Sequence, residues 1–212
     1  MKDYPSIPRM TLTNDLVKPS YHFFDKLDGS NLRFEWNPKR GWYKYGTRNH
    51  LFDESDKVFS PAIPLFYEAL ATPLDKIARE NRWDGLVVFC EYWGPQSFAG
   101  SHVPGDKMSL TLFDAAPYKK GILGPEEFIK LFGHLNIPKY FGFFKLDATL
   151  AQNVSNGEFG KLTHKDGMTF EGVVGKSGTG HNLEMVKLKT NAWRDKVRSI
   201  YKPHIAEQIL RS

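Results

Sequence analysis

The stretch "YHFFDKLDGSNLRFEW", residues 21–36, sets Lys26 between two runs of alternating aromatic and apolar residues, shortly before Gly29. A lysine with an ordinary pKa near ~10.4 is charged and unreactive. Its amine becomes a nucleophile only after losing a proton, which takes desolvation or cationic neighbours. Tyr21, Phe23, Phe34 and Trp36 mark strand-like surroundings that would desolvate it, and Asp28-Gly29-Ser30-Asn31 reads as a turn. Lys26 is therefore either an ornament on a hairpin or a nucleophile held in a cleft.

Three more segments carry compatible chemistry. "CEYWG" places Glu91 at the end of an apolar run, and "FEGVVGK" sets Glu171 amid Phe170, Val173 and Val174. In "MVKLKT", Lys187 and Lys189 alternate with apolar residues, so both point to one strand face. A lysine pair facing one way on a central strand calls for carboxylates or an anion nearby, because unpaired buried charge is strongly unfavourable. Taken singly, Glu91 reads as an edge-strand acid and the lysine pair as a solvated strand face.

The elements that must position these residues alternate between strand and helix signals. Residues 1–20 are turn-rich, with Pro5, Pro8 and Pro19, and read as a surface segment. Antiparallel strands are predicted at "YHFFDKL", "NLRFEW" and "GWYKYGT", then one bent helix or two short ones over 61–82, interrupted at Pro73. Strands follow at 85–93 and 108–115, and a helix at 124–135 with proline and acids in its first turn. Beyond it lie a strand at 141–146, a helix around 147–153, and strands at "MTFEGVVGK" and "NLEMVKLK". The tail over 191–212 is helical, with Asn191 as a possible cap and a break at Pro203. The pattern is α+β, with strands mostly joined to strands and helices outside.

Composition bounds the classes. Of 212 residues, 41% are hydrophobic and 25% charged, which suits one domain with a real core. No run approaches a membrane span and "MKDYPSIPRM" lacks a signal-peptide core. Cys90, the only cysteine, reads as core, excludes an intrachain disulfide and fits a reducing, cytoplasmic setting. The net charge of +5 permits a polyanionic partner without requiring one, and the 14% aromatic content offers faces for stacking. No GxGxxG follows a strand, "GKSGTG" lacks the leading glycine of a P-loop, and the histidines show no metal spacing.

In this order the segments resemble the nucleotidyltransferase motifs of the covalent ligase and mRNA-capping superfamily. Lys26-Leu27-Asp28-Gly29 is similar to its K-x-D-G motif, and "GTRN" with Arg48 to the short basic motif that follows. "FCEYWG" resembles the acidic ribose-binding motif, "LTLFDA" the aromatic motif that supplies Phe113, "FEGVVGK" the E-G-V motif and "VKLK" the final lysine motif. The likeness spans residues 21–190. "KLDA" at 145–148, "RWDG" at 82–85 and "HKDG" at 164–167 lack either an element or the spacing.

The resemblance implies one nucleotidyltransferase domain over 1–212, ATP-grasp-like, with antiparallel sheets flanked by helices. It implies an ATP-dependent ligase that forms a covalent lysyl-AMP with loss of pyrophosphate, moves the nucleotide to a 5′-phosphate, and seals it to a 3′-OH with release of AMP. Lys26 would be the nucleophile. Arg48 and Glu91 would contact ribose or phosphate, Phe113 would stack on the purine, and Asp25 and Leu27 would line the nucleotide site. Glu171 would hold Mg²⁺ (or Mn²⁺). Lys187 and Lys189 would contact phosphates, Lys187 being the one expected on the α-phosphate. Gly29 would let backbone approach the substrate. In place of the arginine usual five positions after the nucleophile in DNA ligases stands Asn31, as K-x-D-G-S-N, and "EYWGPQSFAG" follows the same trend. Both are similar to the nick-sealing RNA ligase branch of phage and editing enzymes, where the asparagine serves the later steps. RNA is accordingly the preferred partner.

Residues 190–212 are too few for a C-terminal OB-fold or for the helical domain of the phage enzymes. This leaves room for an accessory protein that supplies end-binding, or for phosphate contacts by Arg194, Lys196, Arg198 and Lys202, whose bland reading is a solvated helix face. Two alternatives stay open: a DNA ligase or other nucleotidyltransferase of the same fold, and a non-catalytic RNA-binding module. For an enzyme of phage origin the setting would be the host cytoplasm.

Overall fold

The period-two runs of the sequence fold into two antiparallel sheets. The structure, a computed structural model, describes residues 4–7, 20–98, 105–162 and 171–211. Pro8, Pro19, Ala99, Gly100, the "HKDG" at 164–167 and residues 168–170 of an expected strand lie outside these. The strands are β1 (Ser20–Lys26), β2 (Gly29–Asn37), β3 (Gly41–Thr47), β4 (Leu51–Phe52), β5 (Leu86–Trp93), β6 (Ser109–Pro117), β7 (Tyr140–Lys145), β8 (Gly172–Ser177) and β9 (Glu184–Lys189). Two compact units divide the chain.

The four-strand unit takes Ser6–Asp28, Lys139–Ser177 and Glu184–Ser212, with sheet order β7-β1-β8-β9. On one sheet face Tyr21, Phe23, Val173, Val186 and Leu188 form a core with Phe141 and Leu146. Leu150 and Val154 of α4 (Ala148–Ser155) and Phe159 of α5 (Phe159–Leu162) complete it. Asp147 caps α4, its Oδ1 accepting from the Leu150 N–H at 2.9 Å. The tail forms α6 (Asn191–Ile200) and α7 (Pro203–Arg211), with the break before Pro203 as expected. The cap of α6 is Thr190 rather than Asn191: its Oγ1 accepts from the Trp193 N–H at 3.1 Å, while the Asn191 side chain accepts from Arg194.

The five-strand unit takes Met1–Pro5, Gly29–Pro138 and Gly178–Leu183, with order β4-β3-β2-β5-β6. Leu32, Phe34 and Trp36 of β2 stand opposite Cys90, Val88 and Leu86 of β5 and are buried with them. Phe66 stacks on Phe34 at 3.9 Å between ring centroids. It ends α1 (Ala62–Phe66), which runs through a π-helical turn (Tyr67–Ala71) into α2 (Thr72–Glu80). The helix is thus continuous across the expected interruption. Pro73 lacks the N–H of a regular turn, and the wider π turn stands just before it. The Trp42 indole donates to the Ala71 carbonyl at 3.0 Å. Helix α3 (Pro125–Phe132) buries Phe128 and Phe132.

Residues 28–31 do not make a hairpin turn. β1 and β2 lie in different sheets, so the chain changes sheet across Leu27 and Asp28. The glycine at 29 is required by a neighbouring strand, because a Cβ there would lie 2.4 Å from the Tyr92 carbonyl oxygen of β5. Among the described residues no helix is long and apolar enough to cross a membrane.

Candidate active site

In the four-strand unit Lys26 of β1 pairs with Gly172 of β8, and Gly172 pairs with Lys189 of β9. The three positions form one row across three strands, so both lysines stand on the same sheet face, away from the apolar core. Two strand spacings would separate them by about 10 Å. Gly172 leaves that interval free of a side chain, and the carboxylate of Glu171 fills it. Oε2 accepts from Lys26 Nζ at 2.9 Å, and Oε1 lies 3.1 Å from Lys189 Nζ. Lys26 keeps 23% of its side chain accessible, Lys189 11% and Glu171 5%. Gly172 has φ +137°, and a Cβ there would sit 2.1 Å from the Leu188 carbonyl oxygen. A glycine is needed both for the conformation and for the approach of β9.

Burial pushes the Lys189 ammonium below its ordinary value and the Lys26 charge works the same way, against the pull of Glu171 and Asp28. Its ammonium also lies 3.5 Å from the centroid of the Trp193 ring. The next rows on this face hold Phe24, Val174 and Lys187, then His22, Lys176 and Met185. Lys176 is buried, with its ammonium 5.2 Å from the Phe24 ring centroid. Four lysines therefore share this face, and two of them, Lys26 and Lys189, pair with the one carboxylate of Glu171. Such a face suits a polyanion.

In the five-strand unit Asn31 of β2 stands opposite Glu91 of β5, and Glu91 opposite Thr111 of β6. Between Phe89 and Cys90 the β5–β6 register shifts, with Phe89 opposite Asp114 and Cys90 opposite Leu112. Phe113 is the extra residue of this bulge, the device that re-aims side chains out of regular alternation. Phe113 and Asp114 consequently both reach Tyr4. The rings of Phe113 and Phe89 each meet Tyr4 edge-on at 5.0 Å, and the Tyr4 hydroxyl donates to Asp114 Oδ2. Burial raises the Tyr4 pKa well above its ordinary value, helped by Asp114 and then Glu91, with Arg48 opposing. Arg48 is exposed in the turn after β3, where the Thr47 hydroxyl accepts from the Asn49 and His50 N–H groups.

Of the residues expected from sequence, Lys26, Glu171 and Lys189 are in direct contact, with Lys187 on their face. Asn31 and Glu91 are cross-strand partners. Asp25, buried, lies on the other face of β1 from Lys26, in register with Val173, and Leu27 is buried just beyond the strand. In the tail, Arg198 pairs with Asp195 at 3.1 Å. Sequence reasoning passed over Tyr4, which is buried rather than on a surface segment, and over Asp114, Lys176 and Trp193. A tryptophan in the first turn of a helix directly after two alternating lysines is the one signal that could have flagged Trp193. Tyr4 sits in no periodic run and had none.

No protein-family model matches the sequence, and no curated protein matches it. Solved structures do. The whole chain superposes on a protein of Aquifex aeolicus assigned as an ATP-dependent DNA ligase, with TM-score 0.68, 20% identity and 58% of that chain covered. It superposes equally on an archaeal ATP-dependent RNA ligase, with TM-score 0.69, 18% identity and 56% covered. A Naegleria gruberi RNA ligase solved with ATP and Mn matches 84% of the chain, with TM-score 0.61, 15% identity and 51% covered. The chain spans a little over half the length of these solved chains. In fold it is similar to the nucleotidyltransferase domains of ATP-dependent ligases, an α+β arrangement of two antiparallel sheets flanked by helices.

Proposed function

We propose that the protein is an ATP-dependent polynucleotide ligase acting on RNA, with Lys26 as the nucleophile that becomes lysyl-AMP. The observation that carries this reading is the Glu171 carboxylate set between Lys26 and Lys189 in the gap left by Gly172. Glu171 Oε2, 2.9 Å from Lys26 Nζ, would aim that nitrogen, while partial burial and the neighbouring ammonium groups would favour loss of its proton to water. The freed amine would attack the α-phosphorus of ATP, forming a P–N bond as the bond to pyrophosphate breaks. Lys187 and Lys189 would hold the phosphate oxygens as negative charge builds on them. Transfer to a 5′-phosphate and sealing by a 3′-OH would follow, with Asn31 serving these later steps. The two units together would constitute one nucleotidyltransferase domain, working in the cytoplasm.

A divalent metal would be held here by one protein carboxylate, with the substrate and water supplying its other ligands. Among the described residues no group of three or more His, Cys, Asp or Glu could hold one. Mg²⁺ or Mn²⁺ would take the Glu171 carboxylate together with substrate phosphates and water, as hard cations do. When bound, it would neutralise phosphate charge. On the five-strand unit Phe113 would stack on the purine, with Glu91 accepting from a ribose hydroxyl and Arg48 contacting ribose or phosphate; on the four-strand unit Asp25 of β1 and Leu27 just after it would contact the nucleotide.

The RNA preference rests on Asn31 standing where DNA ligases carry arginine. A DNA ligase is the alternative, since likenesses of equal strength fall on a DNA and an RNA ligase, and transfer to nicked RNA and DNA duplexes separates the two. The test of the enzyme itself is intact mass after incubation with ATP and Mg²⁺. An adenylate on the Lys26 peptide that disappears in Lys26→Ala is expected; an unlabelled wild-type chain rejects the reading in favour of a binding module. Asn31→Ala should keep the adduct and lose sealing, and equal loss in both would reject that division.

A further inference from the structure

We propose that Trp193 is a positioning residue for Lys189, a π-face seat that holds the ammonium over the site without cancelling its charge; this rests on the ligase reading above. Lys189 Nζ has two partners on opposite terms. Glu171 Oε1 lies 3.1 Å away and neutralises it, and the same carboxylate also serves Lys26. The Trp193 ring centroid lies 3.5 Å away and attracts the ammonium through its quadrupole, leaving the net positive charge intact. Any ligand that engages Glu171 competes with Lys189 for that carboxylate. The ring carries no net charge and is almost fully buried, so a ligand that takes the Glu171 carboxylate does not take the ring, whose hold on Lys189 survives the ligand's arrival.

The seat is built into the backbone. Thr190 N–H donates to the Glu171 carbonyl at 3.0 Å, and Thr190 Oγ1 accepts from the Trp193 N–H at 3.1 Å. The carboxylate and the ring are thereby referred to one buried residue, Thr190, at the junction of β9 and α6. Trp193 is itself 4% exposed, so its orientation is fixed by packing. A residue there only to fill space would do as well with any large apolar side chain. A seat for a cation requires a ring, and tryptophan is the best of them.

The experiment measures single-turnover adenylylation of Lys26 at saturating and at limiting ATP, with Mg²⁺, in Trp193→Phe and Trp193→Leu. It adds a series with tryptophan of increasing fluorination installed at position 193 alone. Fluorine drains the ring's negative face with little change in size, so the series separates attraction from packing even if Trp193→Leu folds badly. The rate at saturating ATP should fall about tenfold in Trp193→Leu, less in Trp193→Phe, and stepwise along the fluorinated series. A flat series, or equal loss in the phenylalanine and leucine variants, overturns the proposal. An independent readout is the NMR shift of the Lys189 ε-methylene protons. The ring should move them upfield in the wild type, and Trp193→Leu should return them to their ordinary position; no upfield shift in the wild type also overturns it. Absence of any adenylate in the wild type would defeat the ligase reading instead, with the ε-proton shift still deciding whether the ring seats Lys189.

Discussion

In the four-strand unit Lys26 and Lys189 meet at Glu171 because the residue between them, Gly172, has no side chain. In the five-strand unit Phe113 and Asp114 meet at Tyr4 because β6 carries one residue more than its partner. One face is made by leaving something out of a regular sheet, the other by putting something in. The first device concentrates charge, the second collects rings and one buried carboxylate. A regular pleat does neither, since it spaces like positions two residues apart along each strand. Charged and aromatic side chains gather here at the places where the sheet is interrupted or bulged.

The largest effect should come from restoring the missing side chain. Gly172→Ala adds a Cβ 2.1 Å from the Leu188 carbonyl oxygen at φ +137°, so β9 must move and the row opens. A loss of roughly 4 kcal/mol in urea unfolding is expected, together with loss of the adenylate. Near-native stability would mean that the gap is not structural. Next is Glu171→Gln, which keeps the shape and removes the charge between two ammonium groups. About 2 kcal/mol should be lost, less than for a fully buried pair because Lys26 is partly solvated. Adding Lys26→Met to Glu171→Gln should return part of it by removing one of the repelling charges, and simple additivity would reject the shared-carboxylate row.

In the five-strand unit the comparable ligand effect is smaller. Phe113→Ala should weaken ATP binding by about 1–3 kcal/mol if the bulge serves to present this ring for stacking. Calorimetric affinity equal to that of the wild type would reduce Phe113 to core.

The outline of the fold was legible because both sheets follow period two and the helices carry their own signals. Strands at 85–93 and 108–115, the proline-led helix at 124–135 and the break at Pro203 lie where side-chain pattern alone decides. What sequence could not reveal depends on position in space. Asp28-Gly29 has the composition of a turn, yet the close approach of Tyr92 of β5 makes Gly29 a strand residue. The π turn before Pro73 is an adjustment of a helix packed on Phe34, invisible to a rule that lets proline end helices. On the two faces, the lysines and glutamates are chemically conspicuous. Tyr4 and Trp193 are ordinary aromatics until the chain brings them to Asp114 and Lys189.

Tyr4 allows the finest test of the comparison, because its ring and its hydroxyl have separate partners. The ring meets Phe89 and Phe113 edge-on at 5.0 Å each, and the hydroxyl donates to Asp114, which has no exposure at all. Burial and the neighbouring carboxylates keep that hydroxyl protonated, so it remains a donor throughout the working pH range. Tyr4→Phe retains both ring contacts and withdraws one donor from a buried carboxylate, for an expected loss of about 1 kcal/mol. Tyr4→Ala also removes the ring and should lose about 3 kcal/mol or more. Nucleotide affinity should follow the ring, near normal in Tyr4→Phe and reduced in Tyr4→Ala, since Phe113 then loses the ring packed against it. Equal affinity loss in the two variants would assign the effect to Asp114, making charge rather than ring packing the organiser of this face as well.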